Sequence, residues 1–138
     1  MNRLNQLKEQ HKSINNIIAE TKKLLITLED DKTQQLIAKN ISQLAGILKI
    51  HLGNEDRFLY PEFMKSSDIK LRTKADHYIT EMGDLNTVFT EFKNQYNTSS
   101  KIKKNLSVAQ KDITSVFSAV ENRIHKEDSD LYILAGKL

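Results

Sequence analysis

An all-α fold, an up-down-up-down four-helix bundle, is what this sequence predicts, on three observations. One Pro and four Gly in 138 residues leave too little punctuation for a hairpin-built fold. Apolar residues recur at three- and four-residue spacing through four long stretches. Short polar clusters separate the stretches, which is all that antiparallel neighbours need. The length fits one domain, 1–138, large enough to bury a core.

The first helix is predicted over roughly 2 to 28, where Leu4, Leu7, Ile14, Ile18 and Leu25 trace one face. Glu29 to Thr33 interrupts it, and Asp31 or Thr33 can cap the next helix. That second helix carries Ile37, Ile41, Leu44, Leu48 and Leu59 and should end near Phe63, with Pro61 forcing a bend or a stop. Ser66, Ser67 and Asp68 form the next capping cluster. The third helix, roughly 68 to 96, is assigned Leu85, Val88 and Phe92 as its stripe. Asn97 to Ser100 is the last polar break. The fourth helix shows Ile113, Val116, Val120, Ile124 and Leu131 and runs to about Leu134.

Composition removes several classes of function. Zero Cys excludes disulfide scaffolds, zinc ribbons, Fe–S clusters and thiol catalysis. No apolar run approaches the length of a membrane span. Residues Met1 to Gln6 lack the apolar region of an export signal, so a cytoplasmic protein is expected. The net charge of +3 comes from 21 basic and 18 acidic residues, interleaved. The densest basic stretches, Lys65 to Lys74 and Lys101 to Lys104, lack the context of a nucleic-acid reader, so they read as solvated helix surface. No nucleic-acid or membrane partner is expected. No Ser/His/Asp set, phosphate loop or dinucleotide fingerprint suggests conventional catalysis.

The informative residues are the polar ones that interrupt the stripes. At 100° per residue, His11 falls about 20° from both Leu4 and Ile18. His51 falls about 20° from Leu44, with Glu55 one turn on. His77 and Glu81 repeat that spacing on the third helix, with Val88 about 20° from His77. Glu127 falls about 20° from Val120. Three of the four histidines and three glutamates thus sit where Leu belongs. Taken singly, each can be a satisfied core histidine or a helix-end glutamate. Buried carboxylates on several helices need a shared partner, and a His/Glu layer across a bundle is how two carboxylate-bridged metal ions are held. Imidazole and carboxylate without thiolate suit iron or manganese better than structural zinc.

An internal echo adds to this. Residues 55–60 and 127–132 share the frame Glu-Asp-x-x-Leu-Tyr. In that register Glu127 matches Glu55, and Arg123 fills the place of His51. A competing register would use His125 with Asp130; the wheel and the Leu-Tyr anchor both favour Glu127. Tyr60 and Tyr132 read as aromatic core packing.

These residues give the chain its resemblance to the hemerythrin-like family, the cation-binding HHE domain. They are His11, the block from His51 through Glu55, Asp56, Leu59 and Tyr60 to Pro61, the His77/Glu81 pair, and Glu127 with Asp128, Leu131 and Tyr132. The resemblance spans nearly the whole chain. It implies a four-helix bundle around a non-heme di-iron centre, in proteins that bind or sense oxygen, handle iron, or respond to nitric oxide and redox stress. By position, His11, His51 and His77 would be nitrogen ligands, Glu55 and Glu127 bridging carboxylates, and Glu81 a terminal ligand.

The chain departs from the family pattern on the fourth helix, where Arg123 stands for the usual histidine and Ile133 for the proline after Leu-Tyr. A guanidinium cannot ligate a metal; it can pair with Glu127 or Glu81 and replace part of a metal's charge. Two readings follow. In the first, a carboxylate-rich site favours Fe(III), so the protein oxidises readily and senses oxygen, nitric oxide or redox state, or handles iron, rather than storing oxygen. In the second, the bundle is free of metal and binds another protein.

Overall fold

The structure, a computed structural model, describes residues 3–138. Helix α1 spans Arg3–Leu24 and ends in a 3-10 turn, Leu25–Thr27; the expected start at residue 2 falls outside the described residues. Helix α2 spans Asp31–Asn54, and short α3 spans Tyr60–Met64. Helix α4 covers Ile69–Tyr96, α5 Ser99–Lys103, α6 Leu106–Lys126 and α7 Tyr132–Ala135. No strand occurs among the described residues. Helix α1 packs on α2, α2 on α4, α4 on α6, and α6 back on α1, which closes an all-α bundle.

Most boundaries follow from caps. Asp68 accepts a hydrogen bond from the Lys70 amide, and the Thr98 hydroxyl accepts one from Lys101. Extended Asp30, not Asp31 or Thr33, precedes α2; Asp31 lies in its first turn, and the Thr33 hydroxyl pairs with Thr27. The fourth stretch is broken once more than expected. Asn105 accepts from the Val108 amide at 3.2 Å and starts α6 afresh after short α5.

Pro61 neither stops nor sharply ends the second stretch. Residues Glu55–Leu59 form a π-helical turn, and the Tyr60 amide reaches back five residues to the Glu55 carbonyl. The same happens at Glu127–Leu131, where the Tyr132 amide bonds to the Glu127 carbonyl with no proline nearby. The repeated Glu-Asp-x-x-Leu-Tyr frame, rather than the proline, therefore accompanies the π turn. Such turns are uncommon and occur mostly as single insertions, often at functional sites.

Two apolar bodies result. The larger contains Ile14, Ile18, Ile41, Leu44, Phe117 and Val120, with Phe89 and Phe92 in ring contact. The smaller contains Leu7, Leu59, Tyr60, Phe63, Leu131 and Tyr132. Along α1 the division falls at His11, along α2 at His51, and on the last stretch at Arg123 of α6 and Glu127 just past its end. All four residues are buried, so a polar layer separates two apolar ones.

Candidate metal centre

Four side chains from three parts of the bundle meet in that layer. His11 comes from the middle of α1, His51 from the last turn of α2, and Glu55 and Glu127 open the two π turns. Each offers a ligand atom, and these atoms all lie within 4.8 Å of one another. His11 Nε2 is 2.8 Å from Glu127 Oε1 and 3.1 Å from His51 Nε2. His51 Nε2 is 3.2 Å from Glu127 Oε1 and 3.4 Å from Glu55 Oε2. All four residues are at most 2% exposed. No other group of three or more His, Cys, Asp or Glu side chains converges in this way among the described residues.

The outer nitrogens of both rings are committed elsewhere. His11 Nδ1 donates to Asp128 Oδ1 at 2.7 Å, and His51 Nδ1 donates to Gln10 Oε1 at 2.7 Å. An oxygen acceptor at Nδ1 fixes the tautomer and leaves Nε2 as the inward atom. A carboxylate or amide oxygen behind a ligating imidazole is how proteins orient such ligands.

Arg123, 6% exposed, occupies one side of the cluster. Its Nε donates to Glu127 Oε2 at 2.8 Å, and its terminal nitrogen donates to the Tyr78 carbonyl at 3.0 Å and the Tyr60 hydroxyl at 3.2 Å. The guanidinium also lies over the Tyr78 ring, 4.7 Å from its centroid.

These contacts drive the two carboxylates apart electrostatically. Burial pushes Glu55 up to about 7, against the opposing pull of its His51 hydrogen bond. Burial also opposes the charge on Glu127, but hydrogen bonds from His11 and His51 hold it well below the ordinary carboxylate range. For His51, burial works against the cation, and the hydrogen bonds and charges of Glu127 and Glu55 outweigh it, raising it to about 9.

One atom has no counterpart. Glu55 Oε1 is buried without any hydrogen-bond partner among the described residues, an arrangement costing roughly 1–3 kcal/mol unless something binds there. Two inward imidazole nitrogens, two carboxylates and an orphaned carboxylate oxygen fit a metal ion of the iron or manganese type.

The structure does not bring His77 or Glu81 to this cluster. His77 is exposed. Glu81, with a 49% exposed side chain, pairs with Lys126 at 3.1 Å and makes a long 3.5 Å contact to Arg123. The reason is the true stripe of α4, which runs through Ala75, Tyr78, Met82, Phe89, Phe92 and Tyr96. Val88, used to place His77 on the buried face, is 48% exposed. The competing fourth-helix register is not adopted either. His125 is exposed, while Asp130 accepts from the Tyr78 hydroxyl at 2.8 Å and from Lys74.

Three residues at the centre were not singled out as part of it by sequence reasoning: Gln10, Asp128 and Tyr132. The Tyr132 hydroxyl points into the cluster instead of merely packing. Counted at 100° per residue, Tyr132 lies about 140° from Glu127 and should face away. The π turn removes that offset, and the hydroxyl comes within 3.3 Å of Glu127 Oε1. The signal available in the sequence was the echo itself.

The family model for the Hemerythrin HHE cation binding domain matches residues 2–135. The chain therefore belongs to that family, and its bundle is hemerythrin-like. Neither the search of curated proteins nor that of solved structures returns a match.

Proposed function

We propose that this member of the hemerythrin HHE family holds a single iron ion on His11, His51, Glu55 and Glu127 and uses it to sense oxygen, nitric oxide or redox state, or to handle iron. The observation that carries the reading is the partnerless Glu55 Oε1 beside two imidazoles whose outer nitrogens are already tied to Asp128 and Gln10. Bound there, iron would supply one-electron chemistry toward oxygen or nitric oxide.

The chain's own residues do the rest. Asp128 and Gln10 fix both imidazoles with Nε2 inward. Arg123 takes one oxygen of Glu127 and leaves Oε1 facing the histidines. Its permanent positive charge fills the side of the site where a second cation would need ligands, and it offers none. A single ion, rather than the di-iron pair that the family resemblance implies, is the stoichiometry this favours. The apolar layers above and below exclude water.

A second reading draws on the same arginine. With Arg123 bonded to Glu127, Tyr60 and the Tyr78 carbonyl, much of the layer is satisfied without metal, as a bundle acting through a protein partner would require. Metal content and melting temperature separate the two. Anaerobic loading with Fe(II) is expected to give about one iron per chain, and saturation at about 100 times Kd should add roughly 2.7 kcal/mol of stability. Two irons per chain would overturn the single-ion assignment. No iron, with a melting temperature indifferent to Fe(II), would establish the metal-free reading.

A further inference from the structure

Tyr132 occupies a position in this centre that aromatic packing alone does not explain. It is 2% exposed, and its ring stacks on that of His11 with centroids 4.8 Å apart. Its hydroxyl oxygen lies 2.9 Å from Glu55 Oε2, 3.0 Å from His11 Nε2, 3.3 Å from Glu127 Oε1 and 3.4 Å from His51 Nε2. Resting on the metal-site reading above, we propose that Tyr132 is a fifth ligand, its phenolate oxygen binding the ion held by His11, His51, Glu55 and Glu127.

Distance is the first argument. Ligand atoms about 2.1 Å from a metal lie about 3 Å from one another when adjacent. The four donors stand at that mutual spacing where they neighbour each other, from 2.8 to 3.4 Å. The Tyr132 oxygen stands at the same spacing from all four. It is too far from each to mark the centre of the cluster and correctly placed to be another vertex.

Charge is the second argument. Within the buried layer itself, two carboxylates against a divalent ion and the Arg123 guanidinium leave one positive charge, which the half-exposed Asp128 behind His11 offsets only through solvent. Glu81 is exposed and shared with Lys126, so it offsets little of that charge. A phenolate supplies the missing negative charge. On binding, the Tyr132 O–H bond breaks, the oxygen–metal bond forms and the proton leaves to solvent; no electron is transferred. Tyr60, the matching residue of the other π turn, turns its hydroxyl to Arg123 and, among the described residues, makes no hydrogen bond to the four donors.

The test is the spectrum of the ferric protein. The full chain is loaded with Fe(II) without oxygen, oxidised with ferricyanide and analysed for iron. The expected result is a visible phenolate-to-iron charge-transfer band with resonance-enhanced tyrosine ring modes. Both should be lost in Tyr132→Phe at unchanged helicity, and kept in Tyr60→Phe, Tyr78→Phe and Tyr96→Phe. The last three variants keep the assignment decidable if Tyr132→Phe fails to fold, since losing the band in any of them overturns it. Bound iron without the band, or a band that survives in Tyr132→Phe, overturns the fifth ligand and leaves the metal site standing. Wild-type protein that binds no iron overturns both.

Discussion

Residues 55–60 and 127–132 share a sequence frame and a π-helical backbone, yet their glutamates meet opposite electrostatics. Glu55 is pushed up to about 7 by burial and keeps one oxygen without a partner. Glu127 is held well below the usual range by two histidines, and it also receives Arg123. The histidines make the difference: His11 and His51 both reach Glu127, whereas only His51 reaches Glu55, and the residue one helical turn upstream adds to it. His51 precedes Glu55 and can give up its proton; Arg123 precedes Glu127 and cannot. One half of the layer is fixed as an ion pair, and the other is left open to exchange protons for a metal.

Removing the fixed half should have the largest effect. Arg123→Met leaves Glu127 buried beside histidines alone, and breaking a buried pair from one side costs about 3–5 kcal/mol. Urea unfolding of the metal-free protein measures this, and a loss under about 1 kcal/mol would mean that the pair does not hold the layer together. Next comes the contrast between the glutamates. Glu127→Gln should destabilise the metal-free protein by about 3 kcal/mol. Glu55→Gln, which imitates an acid already half neutral near pH 7, should stay within about 1 kcal/mol of wild type. Equal losses would erase the asymmetry.

The asymmetry also has a pH signature in metal-free protein. Glu55 rises from 4.5 to about 7 on folding and His51 from 6.5 to about 9, so the folded chain holds both protons more tightly. Their contribution is complete below the unfolded values and is lost as pH climbs through about 7 and then about 9. Glu127 shifts the other way, so its contribution is lost in acid. Metal-free stability should therefore decline from mildly acidic pH toward pH 9, and Glu55→Gln should remove the step near 7. Affinity for Fe(II) should rise over the same interval, because ligands bind deprotonated.

The two aspartates of the repeated frame sharpen the comparison at a smaller scale. Both are exposed, but Asp128 holds His11 by Nδ1, whereas Asp56 lines a surface cleft with Lys49 and Met82. Asp128→Ala should weaken Fe(II) binding 10- to 100-fold, the usual loss when the group orienting a ligating imidazole is removed. Asp56→Ala should leave it unchanged. A calorimetric titration that finds both variants equal would show that the segments differ only in their glutamates.

How much of this was legible follows from period. The stripes of α1, α2 and α6 are long and regular, so His11, His51 and Glu127 could be placed on their buried faces, and Glu55 beside His51. On α4 the stripe is sparse, and Val88 was mistaken for a core residue. Tyr132 packs in the core as its aromatic character predicts, but the place of its hydroxyl escapes the helical wheel for a different reason. A π turn changes the residues per turn, and a wheel built on 3.6 cannot follow the chain past it. The N-cap at Asn105 was passed over because the apolar series continues on both sides of it.

His77 supplies the smallest effect and the cleanest check on that lesson. It lies one turn before Glu81, the same spacing as His51 and Glu55, so spacing alone gives the two pairs equal claims to the metal. Burial separates them: His51 is 0% exposed and aims at the cluster, while His77 faces outward from α4. His77→Ala should change stability by no more than about 0.5 kcal/mol, as exposed substitutions generally do. It should also leave the iron content and the ferric spectrum untouched, whereas His51→Ala abolishes both. Loss of iron in His77→Ala would mean that α4 turns its histidine inward on loading, and the polar layer would then draw ligands from all four long helices.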